Sequence, residues 1–102
     1  MSEHEKLVRE ELNEQTAKIE WKELERHFAR GVLIKVTPEL DLVEVGAAMV
    51  RDDVKLLEVW AKEGKVVRAG EEDARRWVDS DPVFWAVVVA PWVLVQEAYE
   101  AD

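Results

Sequence analysis

The stretch Val83-Phe84-Trp85-Ala86-Val87-Val88-Val89-Ala90-Pro91-Trp92-Val93-Leu94-Val95-Gln96 decides the fold. From Val83 to Val95 every residue is apolar, yet thirteen residues are too few for a membrane-spanning helix, which needs about 20. The β-branched run Val87-Val88-Val89 reads as a strand buried on both faces, the pattern of a sheet covered by helices. Pro91 has no N–H to give to a sheet ladder, so the run must break there. Trp92 to Gln96 is then a second strand after a bend, or a helix opening at Pro91 with Trp92, Val95 and Tyr99 on one side. The partly β-branched Val93-Leu94-Val95 favours the strand.

The segments upstream alternate between helix and strand signals. Leu7, Val8, Leu12, Gln15 and Ile19 are spaced as one face of a first helix, with Glu5 to Arg9 and Glu14 to Lys18 as favourable i,i+4 pairs. Trp21, Leu24 and Phe28 mark a second helix, stopped at Gly31. Val32 to Thr37 is short and β-branched, ends at Pro38, and reads as a strand. Asp41 and Glu44 have the spacing of a capping box for a helix through Leu42, Val45 and Met49. Asp52-Asp53 interrupts that helix and caps the next, in which Val54, Leu57, Trp60 and Ala61 share a face, up to Gly64. Lys65 to Ala69 reads as another short strand. Gly70 then opens a helix with Glu71, Glu72 and Asp73 in its first turn, where the macrodipole favours negative charge, and Ala74, Trp77 and Val78 turned inward. The expected fold is α/β (or α+β), a single small domain over residues 1–102. It has three to four strands with helices in the order α-α-β-α-α-β-α-β, a further strand following if Trp92 to Gln96 is one. Strands separated by helices imply parallel neighbours, and so few strands can leave part of one sheet face uncovered.

Composition narrows the function classes. The 102 residues carry 23 Asp and Glu against 14 Lys and Arg, and the net charge of −9 repels polyanions, so neither nucleic acid nor an anionic membrane is an expected partner. The chain has no cysteine, which removes disulfides, thiolate metal sites and Cys nucleophiles and agrees with a reducing compartment. Met1-Ser2-Glu3-His4-Glu5 has no basic region leading into an apolar one, so no signal peptide is read, and the expected location is cytoplasmic.

Several separated motifs, Thr16-Ala17-Lys18-Ile19-Glu20-Trp21 with Glu23-Leu24, Phe28-Ala29-Arg30-Gly31, Leu40-Asp41-Leu42-Val43-Glu44-Val45 and Trp85 through Gln96, resemble the small bacterial family called domain of unknown function 2288. The resemblance runs from residue 10 to residue 97. It implies a stand-alone bacterial cytosolic protein and brings no activity and no site residues.

The candidate residues are few. His27, one turn after Glu23 and one turn before Arg30-Gly31, could serve as a base oriented by Glu23; its structural reading is a charged ring at a helix C-terminus, worth about 0.3–1 kcal/mol. Asp52-Asp53 and Asp79-Ser80-Asp81 lack the spacing of a calcium loop and read as caps and turns. No Gly-x-Gly fingerprint, Walker loop or nucleophile elbow is present, and Ser2 and Ser80 are the only serines, so no catalytic residue, metal or cofactor is expected. Of the five tryptophans, Trp21, Trp60 and Trp77 fall on helix stripes and read as core, whereas Trp85 and Trp92 flank Pro91 and are free to line a surface. Arg26, Arg30 and Lys35, like Arg75-Arg76, have acidic neighbours and read as solvated helix faces. The leading expectation is a small protein-interaction or regulatory module that self-associates as a homodimer, through Val83 to Gln96 or the first helix. The alternative is a ligand-binding domain or an enzyme of unrecognised type, with Trp85 or Trp92 lining a pocket beside His27, Arg30 and Asp53.

Overall fold

The computed structural model describes residues 3–98, and Tyr99, which the helical reading of the last segment required, lies outside them. In chain order the elements are α1 (Glu3–Gln15), β1 (Ala17–Glu20), α2 (Trp21–Ala29), β2 (Leu33–Val36), α3 (Leu42–Val50), α4 (Val54–Lys62), β3 (Val66–Arg68), α5 (Glu71–Ser80), β4 (Val83–Val89) and β5 (Trp92–Glu97). The five strands form one sheet in the order β1-β4-β5-β2-β3.

The apolar stretch folds as a hairpin. Val89 pairs with Trp92 and Phe84 with Glu97, so Ala90 and Pro91 make the turn, and the peptide between them is cis. The strand reading of Trp92 to Gln96 holds, and the sheet is mixed. β2 runs parallel to β5, with Ile34 beside Leu94, whereas the pairs β1/β4, β4/β5 and β2/β3 are antiparallel. The parallel neighbours expected for strands separated by helices are therefore corrected: β2 and β3, with α3 and α4 between them, pair antiparallel, as do β1 and β4, and only β2/β5 is parallel.

Alternation sends successive side chains to opposite faces. Phe84, Val93, Val95 and Leu33 pack on one face against Trp21 and Leu24 of α2 and Trp77 of α5. Val87, Leu94 and Val36 pack on the other against Leu12 of α1 and Leu42, Val45 and Ala47 of α3, with Trp60 of α4 at the margin. Both faces thus carry helices. β5 is the strand buried on both sides, through Val93, Leu94 and Val95. β4 is not, because α2 and α1 cover only part of it: Val88 is 57% exposed on the first face, and Val83 (41%) and Trp85 (39%) are exposed on the second.

The most consequential difference from the sequence reading lies at Thr16. Its hydroxyl donates to the Leu12 carbonyl at 2.7 Å, while its N–H reaches the same carbonyl at 3.0 Å, and the helix ends there. Ala17 to Glu20, expected as helix, instead pairs with β4, Ile19 lying opposite Phe84. The edge of an apolar sheet outweighs the helical i,i+4 pairs, each worth only about 0.2–0.5 kcal/mol. Smaller corrections concern helix faces: Val78 is 60% exposed, and Val54 and Ala61 are also exposed because α4 lies at the margin of the core.

The caps behave as the sequence predicts at several points. Asp41 and Asp53 accept the N–H groups of Val43 and Leu56, opening α3 and α4. Glu44, however, reaches across to Arg9 of α1, so the Asp41 cap acts without the expected second half of the box. Gly31 follows α2 at φ 75°, and the Val32 N–H closes back on the His27 carbonyl at 3.2 Å, a Schellman-type stop. The polar helix α1 buries only Leu12 among its residues. A Cβ on Gly46 of α3 would sit 3.2 Å from Leu12 Cδ1 and 3.6 Å from Val89 Cγ2, so that glycine sets how closely α1 approaches. Gly46→Val is expected to lower stability by about 1–3 kcal/mol through overpacking, read as the urea midpoint. An unchanged midpoint would show that α1 is not seated on Gly46.

Candidate functional site

Two places on the molecule combine exposure with chemistry. The first is the outer margin of the sheet at β1 and β4. Thr16 ends α1 and Trp21 begins α2, so β1 is only four residues long, with Ala17, Lys18 and Glu20 exposed. Lys18 and Glu20 point to the same face as their cross-strand partners Trp85 and Val83. The Lys18 ammonium lies 5.2 Å from the centroid of the Trp85 ring, a cation–π contact. The Val83 carbonyl accepts from the Ala98 N–H at 2.8 Å, so odd-numbered residues of β4 bond to β5 and even-numbered ones to β1. Ile19 and Ala17 accordingly face β4, and the backbone N–H groups of Lys18 and Glu20 face outward.

The second place is a cleft on the opposite face, at the C-terminal ends of the parallel pair β2 and β5. It has a volume of about 200 Å³ and is lined in part by Lys35, Thr37, Arg76, Trp77 and Glu97. Asp73 of α5 organises the charges behind it. One carboxylate oxygen accepts from Lys35 Nζ at 2.7 Å and from Arg76 Nη2 at 3.2 Å, and the other from the Gly70 N–H at 2.9 Å. Glu97 accepts the Trp77 indole N–H at 2.8 Å and lies 3.5 Å from Arg76. Burial by itself would raise the Asp73 pKa, but the Lys35 ammonium, the Gly70 N–H and Arg76 together hold it below its ordinary value of 3.8. Thr37 also lines the cleft, but its hydroxyl is turned into the protein and has no hydrogen-bond partner among the described residues.

The residues singled out in the sequence are not gathered at one place. Trp85 belongs to the β1/β4 margin and also lines a shallow groove with Asn13, Thr16 and Gln96. Trp92, half-buried, shares that face of the sheet at the far end of β5, with the Arg68 guanidinium 5.6 Å from its ring. Asp53 is the α4 cap and also holds Arg51 at 3.2 Å. Arg30 and His27 sit at the C-terminus of α2, on the other face. Desolvation, then the positive charges of Arg26 and Arg30, push the His27 imidazole below its ordinary 6.5. The ring is thus disfavoured as the charged helix-end group, and protonation just below pH 6.5 costs stability instead of adding it. The residues missed by the sequence reading are Lys35, Thr37, Asp73, Arg76, Trp77 and Glu97 acting together. Only Asp73, three residues after the helix-opening Gly70, carried a local signal.

This architecture, a mixed five-stranded sheet with helices on both faces, defines a small α+β domain. Over residues 7–97 the chain matches the family described as "Protein of unknown function (DUF2288)", and it belongs to that family. Among solved structures, the NMR solution structure of PA1075 from Pseudomonas aeruginosa is similar with a TM-score of 0.81 and 41% sequence identity, over 100% of this chain and 93% of that one. A comparison with curated proteins found no match.

Because the folded Asp73 carboxylate titrates below its unfolded value, its contribution is fully present above about pH 3.8 and is lost as the pH falls below that value. Asp73→Asn is expected to cost about 1–3 kcal/mol at neutral pH, and the gap from the native chain should narrow on acidification below 3.8. Urea unfolding at both pH values measures it. Equal midpoints at neutral pH would remove Asp73 from its organising role.

Proposed function

We propose that the chain is a self-associating interaction module whose contact is made by the outer edge of β1, giving an isologous homodimer with a sheet continuous across the two-fold axis. The observation that carries this reading is the alternation of opposite charges along that edge. Lys18 and Glu20 are the residues whose backbone N–H groups face outward, so they must oppose one another in an antiparallel pairing with a second copy. One such register sets Lys18 against Lys18 and another Glu20 against Glu20. The register between them sets Lys18 against the partner's Glu20 twice and Ile19 against the partner's Ile19, and it alone matches the charges. Short, lysine-bearing edge strands ordinarily discourage pairing, and here the matched register lifts that penalty. In that register the Glu20 N–H meets the partner's Lys18 carbonyl on both sides of the axis, next to the exposed Trp85 and Val83. The net charge of −9 opposes contact only weakly, the Debye length being about 8 Å at physiological salt.

The location that goes with this reading is the cytoplasm, supported by the absence of cysteine; among the described residues no helix is long and apolar enough to cross a membrane. Light scattering coupled to size exclusion tests the association. At high micromolar concentration the mass is expected at about twice 11.8 kDa, to fall to that of one chain in Lys18→Glu, and to return in the charge swap Lys18→Glu/Glu20→Lys. A native chain of one-chain mass would contradict the reading. So would a dimer unaffected by Lys18→Glu.

A further inference from the structure

The shallow groove beside Trp85 differs in chemistry from both the charged cleft and the edge of β1. On the face of the sheet opposite the cleft, the register sets Trp85 between Lys18 of β1 and Gln96 of β5. The groove lies on the Gln96 side, lined by Asn13 at the end of α1 and by Glu39, Leu40 and Asp41 of the loop before α3. Gln96 fixes that loop, because its Nε2 donates to the carbonyls of Thr37 and Leu40 at 2.8 and 2.7 Å. It stands across the ladder from Trp85 and bonds the residue before Asp41, so ring, amide and carboxylate are neighbours. Trp85, Asn13, Glu39 and Asp41 are all exposed, and the groove therefore offers them to a partner.

What it offers is negative and rich in acceptors. Glu39 and Asp41 are its charged residues, and no lysine or arginine is among the described residues that line it. Glu39 also meets Lys65 at 3.4 Å, so its charge is shared. Asp41 Oδ1 accepts the Val43 N–H as the cap of α3, which leaves Oδ2 available, and the full charge of that carboxylate outweighs the half charge of the helix end. With the Gln96 amide nitrogen engaged, its Oε1 is left as a second acceptor.

The ring shows which guest suits it. The Lys18 ammonium, 5.2 Å from the Trp85 centroid, reaches the indole from the β1 side, so the ring already holds one cation of the chain itself. An anion would be repelled by Asp41 and Glu39, and a purely apolar segment would strip water from their oxygens without replacing it. A guanidinium meets both demands. Its plane stacks on an indole and its fork of N–H groups serves two acceptors at once, whereas an ammonium has neither plane nor fork.

We propose that this groove docks an arginine side chain of a partner protein, carried on a segment with apolar residues on either side of it. The guanidinium stacks on Trp85 and donates to Asp41 Oδ2 and Gln96 Oε1, and the flanking apolar residues rest on Leu40 and Pro38. The site is complete within one chain, so it does not depend on the dimer.

The experiment is a ¹H–¹⁵N titration of the full chain with a blocked pentapeptide whose central arginine stands between leucines, to about 10 mM. The same peptide with lysine, glutamine or glutamate in place of the arginine is titrated alongside. The arginine peptide is expected to move the Trp85 indole peak and the Gln96 side-chain amide peaks saturably. The lysine peptide should bind about threefold to tenfold more weakly, and the glutamine and glutamate peptides at least about tenfold. Asp41→Asn keeps the cap, since asparagine caps as well as aspartate, and is expected to preserve the dispersed spectrum while weakening the arginine peptide about fivefold. Trp85→Leu, followed at Gln96, should weaken it about tenfold. A glutamine or lysine peptide binding as tightly as the arginine one would overturn the proposal. So would Trp85 and Gln96 peaks that the arginine peptide leaves in place, or an Asp41→Asn chain that binds it unchanged.

Discussion

Val93, Leu94 and Val95 are three consecutive residues of one strand, and all three are buried. Since successive side chains point to opposite faces, such a strand is tolerable only in the interior of a sheet with cover on both sides. β5 meets the condition by lying between β4 and β2. Each of these side chains contributes about 1.5–3 kcal/mol by leaving water, far more than any surface ion pair on the molecule. The two helical layers follow from this constraint. α2 and α5 bring Trp21, Leu24 and Trp77 to Val93 and Val95, and α1 and α3 bring Leu12 and Val45 to Leu94.

The same alternation produces two candidate surfaces where cover runs out. On the face that carries Leu33, Val93 and Val95, the next outward positions are Lys35 and Glu97, so charged groups stand at the end of an apolar floor. Asp73 lies over that end because Gly70 opens α5 one turn earlier. On the opposite face the helices α1 and α3 stop short of Val83 and Trp85, and β1 closes that side with only four residues. One surface is thus a half-open, charge-balanced cleft and the other an open strand edge. They lie on different faces of the sheet.

Much of the fold was legible in the sequence because its strongest signals are local. Pro91 marked the break in the apolar run, Gly31 and Gly64 stopped their helices at positive φ, and Asp41 and Asp53 capped the next ones. What could not be read was set by tertiary pairing. Thr16 to Glu20 has helical spacing, and only the edge of β4 makes it a strand. The parallel order assumed for strands separated by helices failed because two helices, α3 and α4, carry the chain from β2 back to β3, and the two strands pair antiparallel. At the site, Trp85 was identified as a surface residue by its position in the apolar run. The cleft was hidden because Lys35 and Asp73 are 38 residues apart and Trp77 and Glu97 are 20 apart, and each looked like an ordinary surface charge or core aromatic.

The dependence of the whole structure on the doubly covered strand can be measured by native-state hydrogen exchange of the backbone amides. The amides of Val93, Leu94 and Val95 are expected to exchange slowest, through global unfolding, while those of α1 and of Lys18 in β1 exchange faster through smaller openings. Val93 to Val95 exchanging as fast as β1, with the slowest amides in a helix, would contradict the account.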